Sequence, residues 1–255
     1  MRNMRFNQIV RVIRPVVLMA VAMAGTSGCS GSDIRYGGVE GVPLTELDFS
    51  GPAPEEITLL GPDRVLISQG STFGITVDDA SKDPKGLRFV LKDRSLGIMR
   101  TASWTGSGAG ATIRVSLPSP PRKLGVSGSG DMVSDALAGS AEVMIAGSGD
   151  LETPRVDADA LAVSIAGSGT YHAAGRARSL DVSLAGSGDA DLEALKVDRA
   201  QLSIAGSGDA AFASDGEVNA SIMGSGSGRV RGSARCTAQT MGSGSLICES
   251  RGGPA

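Results

Sequence analysis

Four aspartates follow a Gly-Ser-Gly triplet at intervals near twenty residues or a multiple of it, and regularly spaced carboxylates could bind calcium or hydrolyse glycosides. A calcium repeat, however, reads G-G-x-G-x-D with a period of nine, whereas here the aspartate directly follows the last glycine once per repeat. A glycosidase requires two carboxylates in different environments, and these surroundings are alike. The pattern therefore favours neither chemistry. The aspartates are Asp131, Asp150, Asp189 and Asp209.

The same triplets place a serine between two glycines, with small residues before them and short polar residues after them. In a parallel stack these positions form columns about 4.8 Å apart. Short polar side chains often satisfy backbone donors at tight bends. Alternatively, a flat face of serine and aspartate could match a repetitive ligand such as a polysaccharide. The candidate ligand-facing serines are Ser148, Ser168, Ser187 and Ser207.

His172 is the only histidine, so any Ser-His-acid triad would have to use it. Every Gly-Ser-Gly belongs to the repeat, and no serine has the G-x-S-x-G context of a nucleophile elbow. The cysteines and the single histidine have no zinc or haem spacing. The sequence predicts no catalytic residue, no metal site and no cofactor, and the protein is expected not to be an enzyme.

Cys236 and Cys248 lie six residues before and six residues after Gly242, so both have the parity of an inward side chain. In an oxidising compartment two such cysteines could form a disulfide that staples the last repeat. Cysteine also packs as a small core residue. A disulfide and a pair of packed thiols both remain open.

The elements that position these residues are repeats of 18 to 20 residues. Residues two, four and six positions before a triplet are apolar or small, as in Leu161, Val163 and Ile165. Such alternation predicts a strand with one buried face. The triplets begin at Gly128, Gly147, Gly167, Gly186, Gly206, Gly224 and Gly242.

A period near twenty suits two or three short strands per turn, each pairing with its counterpart in the next turn. The fold prediction is all-β: a single-stranded parallel β-solenoid, or right-handed β-helix, with 18 to 20 residues per turn. Glycines are expected where the chain bends and no side chain fits.

The first 28 residues predict a secretory signal. Arg2, Arg5, Arg11 and Arg14 precede a short apolar run and small residues that lead to Cys29. Thr26-Ser27-Gly28-Cys29 resembles the lipobox of bacterial lipoproteins, in which the cysteine is lipidated. Ser30 after it resembles the pattern that sends a lipoprotein to the outer membrane.

Beyond the signal, the composition divides the chain into a polar tether and entry segment at 29–54, a solenoid domain at 55–250 and a tail at 251–255. Within the domain, 55–120 is strand-rich without the repeat register, and 121–250 holds the regular turns. The irregular part is expected to cap one end of the solenoid. Its predicted strands are 57–60, 64–69, 73–77, 87–91, 96–99 and 111–117.

Removal of the signal leaves 20 basic and 27 acidic side chains. Nucleic-acid binding requires clustered Lys and Arg, so this acidic chain is not expected to bind nucleic acid.

The strands from Ile57 to Leu117, the step Val115-Ser116-Leu117-Pro118 and the (Ile/Leu)-Ala-Gly-Ser-Gly-Asp repeats resemble the bacterial family described as putative auto-transporter adhesin, head GIN domain. The likeness covers roughly residues 45 to 248. It implies a β-solenoid exported to the cell envelope, often as a lipoprotein. The family has no established ligand or catalytic residue, so it implies no site.

The expected function is that of a non-enzymatic envelope lipoprotein, an adhesin or binding scaffold that is attached to the outer membrane through Cys29 and contacts a polysaccharide or another envelope protein. The alternative is a structural or signalling envelope protein that contacts another protein through the solenoid end. An enzyme acting on polysaccharide is a distant third.

Overall fold

The structure, a computed structural model, describes residues 35–78, 86–101 and 110–249. The predicted signal peptide, Cys29 and the tail at 251–255 lie outside the described residues. Within them there are eighteen β-strands and a single 3-10 turn, Leu44–Glu46. No helix in this part of the chain has the length and apolarity to cross a membrane.

Eight strands precede the regular repeats, and six of them fall where the sequence predicts strands. They are β1 (Arg35–Tyr36), β2 (Val39–Glu40), β3 (Glu56–Leu60), β4 (Arg64–Gln69), β5 (Gly74–Val77), β6 (Leu87–Lys92), β7 (Ser95–Arg100) and β8 (Thr112–Leu117).

Ten strands form the seven regular turns, and the longer ones run from one triplet to the next. They are β9 (Lys123–Gly128), β10 (Asp131–Ser134), β11 (Leu137–Gly147), β12 (Leu151–Gly167), β13 (Thr170–Gly186), β14 (Asp189–Gly206), β15 (Ala210–Gly224), β16 (Ser227–Arg231), β17 (Arg235–Gly242) and β18 (Ser245–Glu249).

These strands pair in parallel, each with the equivalent strand of the next turn. The first glycines of all seven triplets are register partners from turn to turn, so the triplets stand above one another in a line. The parallel β-solenoid predicted from the repeat is confirmed.

Each triplet forms a corner at which the turns approach too closely for any side chain. Gly167 has a φ of +127°, and a Cβ there would lie closer than 3.0 Å to the carbonyl oxygen of Gly147. A Cβ on Gly169 would meet the carbonyl oxygen of Gly149 in the same way. The corners are also hydrogen-bonded, because the Ser168 N–H donates to the Gly147 carbonyl at 2.8 Å. Both glycines are therefore required by backbone contact between turns.

Every full turn has three sides. In β12, residues 151–153, 156–158 and 160–167 pair with β13. The register shifts between Thr153 and Val156, and the alternation of buried residues is interrupted again at 159–160. The first side follows a triplet, the second side follows the irregularity near Pro154, and the third side leads into the next triplet. The third side is the longest, and it carries the alternation seen in the sequence.

The inward side chains form one core that runs from Ile57 to Val230 across the boundary at residue 120. Tyr171 is fully buried, and its hydroxyl has no hydrogen-bond partner in the described part of the chain, nor has that of Thr153. Burial raises the pKa of Tyr171, and the nearby Thr153 hydroxyl opposes this rise only in part.

The order of the first turns in space differs from their order in the chain. Strand β3 lies between β7 and β9, and β4 lies between β8 and β10. The chain thus builds β3 and β4, adds β7 and β8 on one flank, and crosses to the other flank to begin β9. The proline-rich segment 118–121 makes this crossing, since proline fixes φ and has no N–H for the ladder.

The N-terminal end of the solenoid is covered by antiparallel strands. Strand β5 pairs antiparallel with β8, β6 pairs antiparallel with β7, and Val42 bridges to Phe89 beyond β6. This part of the irregular segment therefore caps the end, as the sequence suggested. Antiparallel pairing ends the parallel ladder, which protects this edge.

Part of the segment expected to be a tether and entry, 29–54, packs on the solenoid. The Tyr36 hydroxyl hydrogen-bonds to Thr58 at 3.1 Å and to Ser95 at 2.9 Å, and its ring covers Gly97, where a Cβ would collide with it. Leu44 and Leu47 of the same segment pack against the core. Residues 35–47 are thus an integral layer of the fold.

The C-terminal end has no antiparallel layer in the described residues. Cys236 and Cys248 are joined by a disulfide across the last turn, with a Cα–Cα distance of 6.6 Å. They are the register partners of Val218 and Val230, which are buried in the turn before. The disulfide thus occupies the two positions that buried valines hold one turn earlier, and it lies where the core becomes accessible to solvent.

We expect Gly167→Ala to lower the free energy of unfolding by roughly 2 to 4 kcal/mol, because a methyl group forced against backbone costs about 1–3 kcal/mol and the positive φ adds about 1 kcal/mol or more. Gly74→Ala is the matched control, since a Cβ there meets nothing within 4 Å. Urea unfolding measures both. Equal effects of the two substitutions would contradict the corner constraint.

Candidate ligand-binding surface

The outward residues of the third side form a flat face, which we define by three columns on strands β12 to β15. Their pairing is in register from turn to turn, so equivalent residues lie directly beside each other. All twelve residues are exposed. They are Ala162, Ser164 and Ala166; Asp181, Ser183 and Ala185; Gln201, Ser203 and Ala205; and Asn219, Ser221 and Met223.

The flat face differs from the other two sides in charge. Among its twelve described residues, Asp181 is the one charged side chain, and partial burial raises the pKa of this carboxyl. The first and second sides instead carry ion pairs between turns. These include Arg178–Asp159 at 3.3 Å, Lys196–Asp215 at 2.9 Å and Arg231–Glu193 at 2.9 Å. On strands β12 to β15 the flat face is therefore nearly uncharged. Charged residues stand at its margins on the same side, since Arg199 and Glu217 lie at the corner with the second side, and Lys123 and Glu142 form an ion pair on the preceding strands β9 and β11.

A serine column runs through the middle of the flat face. Ser164, Ser183 and Ser203 are register partners, and their hydroxyls have no hydrogen-bond partner within residues 110–249. Sequence reasoning did not single out this column, because it followed the inward positions and the triplets. The signal was present, since a serine stands three residues before four successive triplets.

The triplet serines form a second column at the corner that borders the flat face. Ser148, Ser168, Ser187 and Ser207 are exposed and stand one above another. Their backbone N–H groups donate to the first glycine of the preceding triplet, as Ser187 does to Gly167 at 2.9 Å. The hydroxyls are not engaged by other residues between 110 and 249, so they remain available to a ligand.

The aspartates beyond the corner have a structural contact. One carboxylate oxygen of Asp150 accepts the Thr170 N–H at 2.9 Å, and one of Asp189 accepts the Asp209 N–H at 2.8 Å. Asp209 accepts the Ser227 N–H at 2.7 Å. Each aspartate thus satisfies the backbone of the next turn, which is the turn-stabilising role that the sequence left open. Asp131 is exposed and lies in the same column, and its backbone N–H donates to the Asp63 carbonyl.

His172 lies on the first side, exposed, with its Nδ1 atom 3.1 Å from the Asp191 carboxylate. Among residues 35–78, 86–101 and 110–249, no group of three or more His, Cys, Asp or Glu side chains is arranged to hold a metal ion. The aspartate column therefore lacks a cluster of the oxygen ligands that calcium requires.

Two open grooves lie away from the flat face. One of about 360 Å³ is lined by Lys196, Asp215, Arg231 and Glu249, and the Lys196 ammonium together with Ser233 lowers the pKa of Asp215. The other, of about 280 Å³, lies between β14, β15 and β16 beside Asp191. In the first groove Lys196 and Asp215 are paired with each other, whereas the second groove is lined by the carboxylates of Asp189, Asp191, Glu193 and Asp209 and by the single cation Arg229.

We expect Asp189→Ala combined with Asp209→Ala to lower stability by about 1 kcal/mol for each lost hydrogen bond. Asp189→Asn with Asp209→Asn should lose less than half as much, because the amide oxygen can still accept the backbone N–H. Urea denaturation distinguishes the pairs. Equal losses would show that the charge, and not the hydrogen bond, matters at this corner.

Comparison with solved structures identifies the same fold in proteins from Bacteroides and Parabacteroides. A putative adhesin from Bacteroides fragilis aligns with a TM-score of 0.68 at 17% identity over 77% of this chain and 93% of its own. A putative adhesin from Parabacteroides distasonis aligns with a TM-score of 0.61 at 18% identity, over 78% of this chain and 94% of its own. A putative lipid binding protein from the same organism aligns with a TM-score of 0.56 at 25% identity, over 78% of this chain and 93% of its own.

No curated protein matches the chain. The family model described as putative auto-transporter adhesin, head GIN domain, matches residues 53–234, which are most of the chain and include the first six triplets. The likeness inferred from the repeats is thereby confirmed. The chain belongs to the family of putative auto-transporter adhesins with a head GIN domain.

Proposed function

We propose that this protein is a non-enzymatic binding scaffold of the cell envelope, an adhesin that contacts a repetitive polysaccharide. The observation that carries the proposal is the flat face, an exposed and nearly uncharged surface of in-register turns. Membership of an adhesin family and the descriptions of two similar structures as putative adhesins support it.

The chemistry of the flat face and of the corner that borders it suits a neutral polymer. Two columns of free hydroxyls, one through Ser183 and one through Ser187, can both donate and accept hydrogen bonds with sugar hydroxyls. Between the columns stand alanines such as Ala185, which leave room for a ring to lie flat. The spacing of about 4.8 Å between turns repeats these groups along the solenoid. A polymer with a regular repeat can therefore use several turns at once, and the gain in avidity offsets weak single contacts.

The corner aspartates are placed at the border of this ligand surface. Since one oxygen of Asp150, Asp189 and Asp209 is held by the backbone, the second oxygen is the one that can accept a sugar hydroxyl. In this proposal they contribute at the edge, and the serines contribute at the centre.

The proposed location is the outer membrane, with lipid attached at Cys29 after export. The supporting features are the arginine-rich start, the short apolar run and the lipobox-like Thr26-Ser27-Gly28-Cys29, together with membership of an adhesin family. A single acyl chain binds membranes reversibly, so the multiple acylation of a lipoprotein cysteine is what would give a stable anchor.

We expect Ser183→Arg combined with Ser203→Arg to abolish binding on a glycan array and to reduce adhesion of whole cells at least tenfold, because two long charged side chains would block the flat face. The control carries the same two arginines on the first side, as Glu152→Arg with Asp191→Arg, and should bind as the unmodified chain does.

Two outcomes would contradict the polysaccharide proposal. One is an array on which the folded, unmodified protein binds no glycan. The other is loss of binding in the first-side control but not in the flat-face variant, which would move the ligand to the charged sides.

For the anchor, we expect Cys29→Ser to abolish incorporation of labelled fatty acid and to release the protein from the membrane fraction. Thr26→Leu, which restores the aliphatic residue usual at that lipobox position, is the matched control and should label at least as well. Fatty-acid labelling followed by fractionation measures both. Equal labelling of the Cys29→Ser variant and the unmodified chain would contradict lipidation at this residue.

A second candidate function is a structural or signalling role through the end of the solenoid. The last turn exposes two large apolar side chains, Met241 and Ile247, which remain 73% and 47% accessible. Crosslinking in intact cells separates the candidates, since a single captured protein partner without glycan binding would favour the second.

A further inference from the structure

The last turn ends in two strands that each have a neighbour on one side. Within the described residues, β17 pairs with β15 and β18 pairs with β16, and their other edges are unpaired. Such edges readily pair with another chain unless proline, lysine, a bulge or a covering layer blocks them. Neither strand contains proline or lysine, and the antiparallel layer of the N-terminal end has no counterpart here.

We propose that this end binds a second copy of the chain, head to head, through a twofold axis at the corner Ser243. Rotation about an axis through a corner exchanges the two sides that meet there. Strand β17 of one copy then pairs antiparallel with β18 of the other, and both edges are satisfied together. This interface does not involve the flat face and is independent of the proposed ligand.

The register of the two strands is self-complementary about this corner. The axis places Met241, Gln239 and Thr237 of one copy opposite Ser245, Ile247 and Glu249 of the partner copy, with all six pointing outward. The inward pairs would be Thr240 with Leu246 and Ala238 with Cys248. Residues directly opposite in an antiparallel pair share a face, so the core of one copy continues into the core of the other.

The sizes of the inward residues fit this pairing. The position equivalent to Thr240 holds Ile222 in the turn before, while Ala238 follows Ala220, so the third side becomes smaller and more polar at Thr240. Leu246 and the disulfide fill the other side of the same turn. The antiparallel pairing places the large residues of one copy against the small residues of the other.

The charges at the outer limits of the interface are complementary. Arg235 and Glu249 point outward at opposite ends of the last turn, and both are exposed. In the proposed register, Glu249 of one copy is diagonal to Arg235 of the second copy, a separation of about 7–8 Å that long side chains can span. The twofold axis produces this opposite-charge contact twice.

Paired cysteines test the register in cells that produce the full chain. One population carries Gln239→Cys, another Ile247→Cys, and a third produces both variants with different tags. We expect disulfide-linked dimers that contain both tags in the third population and at least fivefold less crosslinking in either single variant. The unmodified chain gives the background from native cysteines. A third population that crosslinks no more than the single variants would overturn the proposal.

A charged substitution within the proposed interface provides a second test of the dimer. Ala238 is exposed in the isolated chain, so Ala238→Lys should leave the thermal midpoint unchanged but place a buried lysine against the partner's Cys248 in the dimer. We expect it to reduce the two-tag crosslink at least fivefold, while Asn219→Lys, on the flat face one turn away, leaves the crosslink intact. Crosslinking that persists in Ala238→Lys would also overturn the proposal.

Discussion

The structure depends on a single close contact, the one between stacked glycine corners. The carbonyl of one corner occupies the place that a side chain on the next corner would need, and the serine N–H between the glycines donates to that carbonyl. Because this contact fixes the position of each turn on the last, the strands on either side are held in register over all seven turns. Alternate side chains then fill a narrow core, and the others form columns at a constant spacing.

Register has different consequences on the three sides of the solenoid. Where outward residues are long and charged, stacking brings opposite charges of successive turns together, as in Lys196 and Asp215. On the flat face most outward residues are alanine or serine, so the same stacking yields a flat surface with free hydroxyls. Exposed ion pairs contribute little stability, with a typical value of 1 kcal/mol or less each. These ion pairs make the first and second sides charged, so the flat face differs from them in charge.

The sequence predicts the repeats well because they obey local rules. Alternation at Leu161, Val163 and Ile165 marks a buried strand face, and the recurrence of the triplet gives the register without further information. The place of β3 between β7 and β9 could not be predicted in this way, since alternation identifies a strand but not its neighbour. The packing of Tyr36 on Gly97 was hidden for a related reason, because a lone aromatic residue in a polar segment gives no indication of what it covers.

For the candidate site, sequence reasoning identified the corner columns but left the role of the aspartates open. That choice depends on the geometry of a side-chain hydrogen bond to the next turn, which spacing does not specify. The serine column through Ser183 was overlooked although it is visible in the sequence, because outward positions were considered only beside the triplets. The disulfide remained one of two alternatives until the two cysteines were located on opposite strands of the same turn.

The crossing made by the prolines at 118–121 has a consequence for how the chain acquires its fold. The turn built from β3 and β4 is synthesised first, yet it ends in the interior of the stack with neighbours that are synthesised later on both flanks. The turns cannot therefore form in chain order from the N-terminal end. The later, self-similar turns contact their immediate predecessors in the chain, so they are the segment able to nucleate, and the earliest residues must wait to be enclosed.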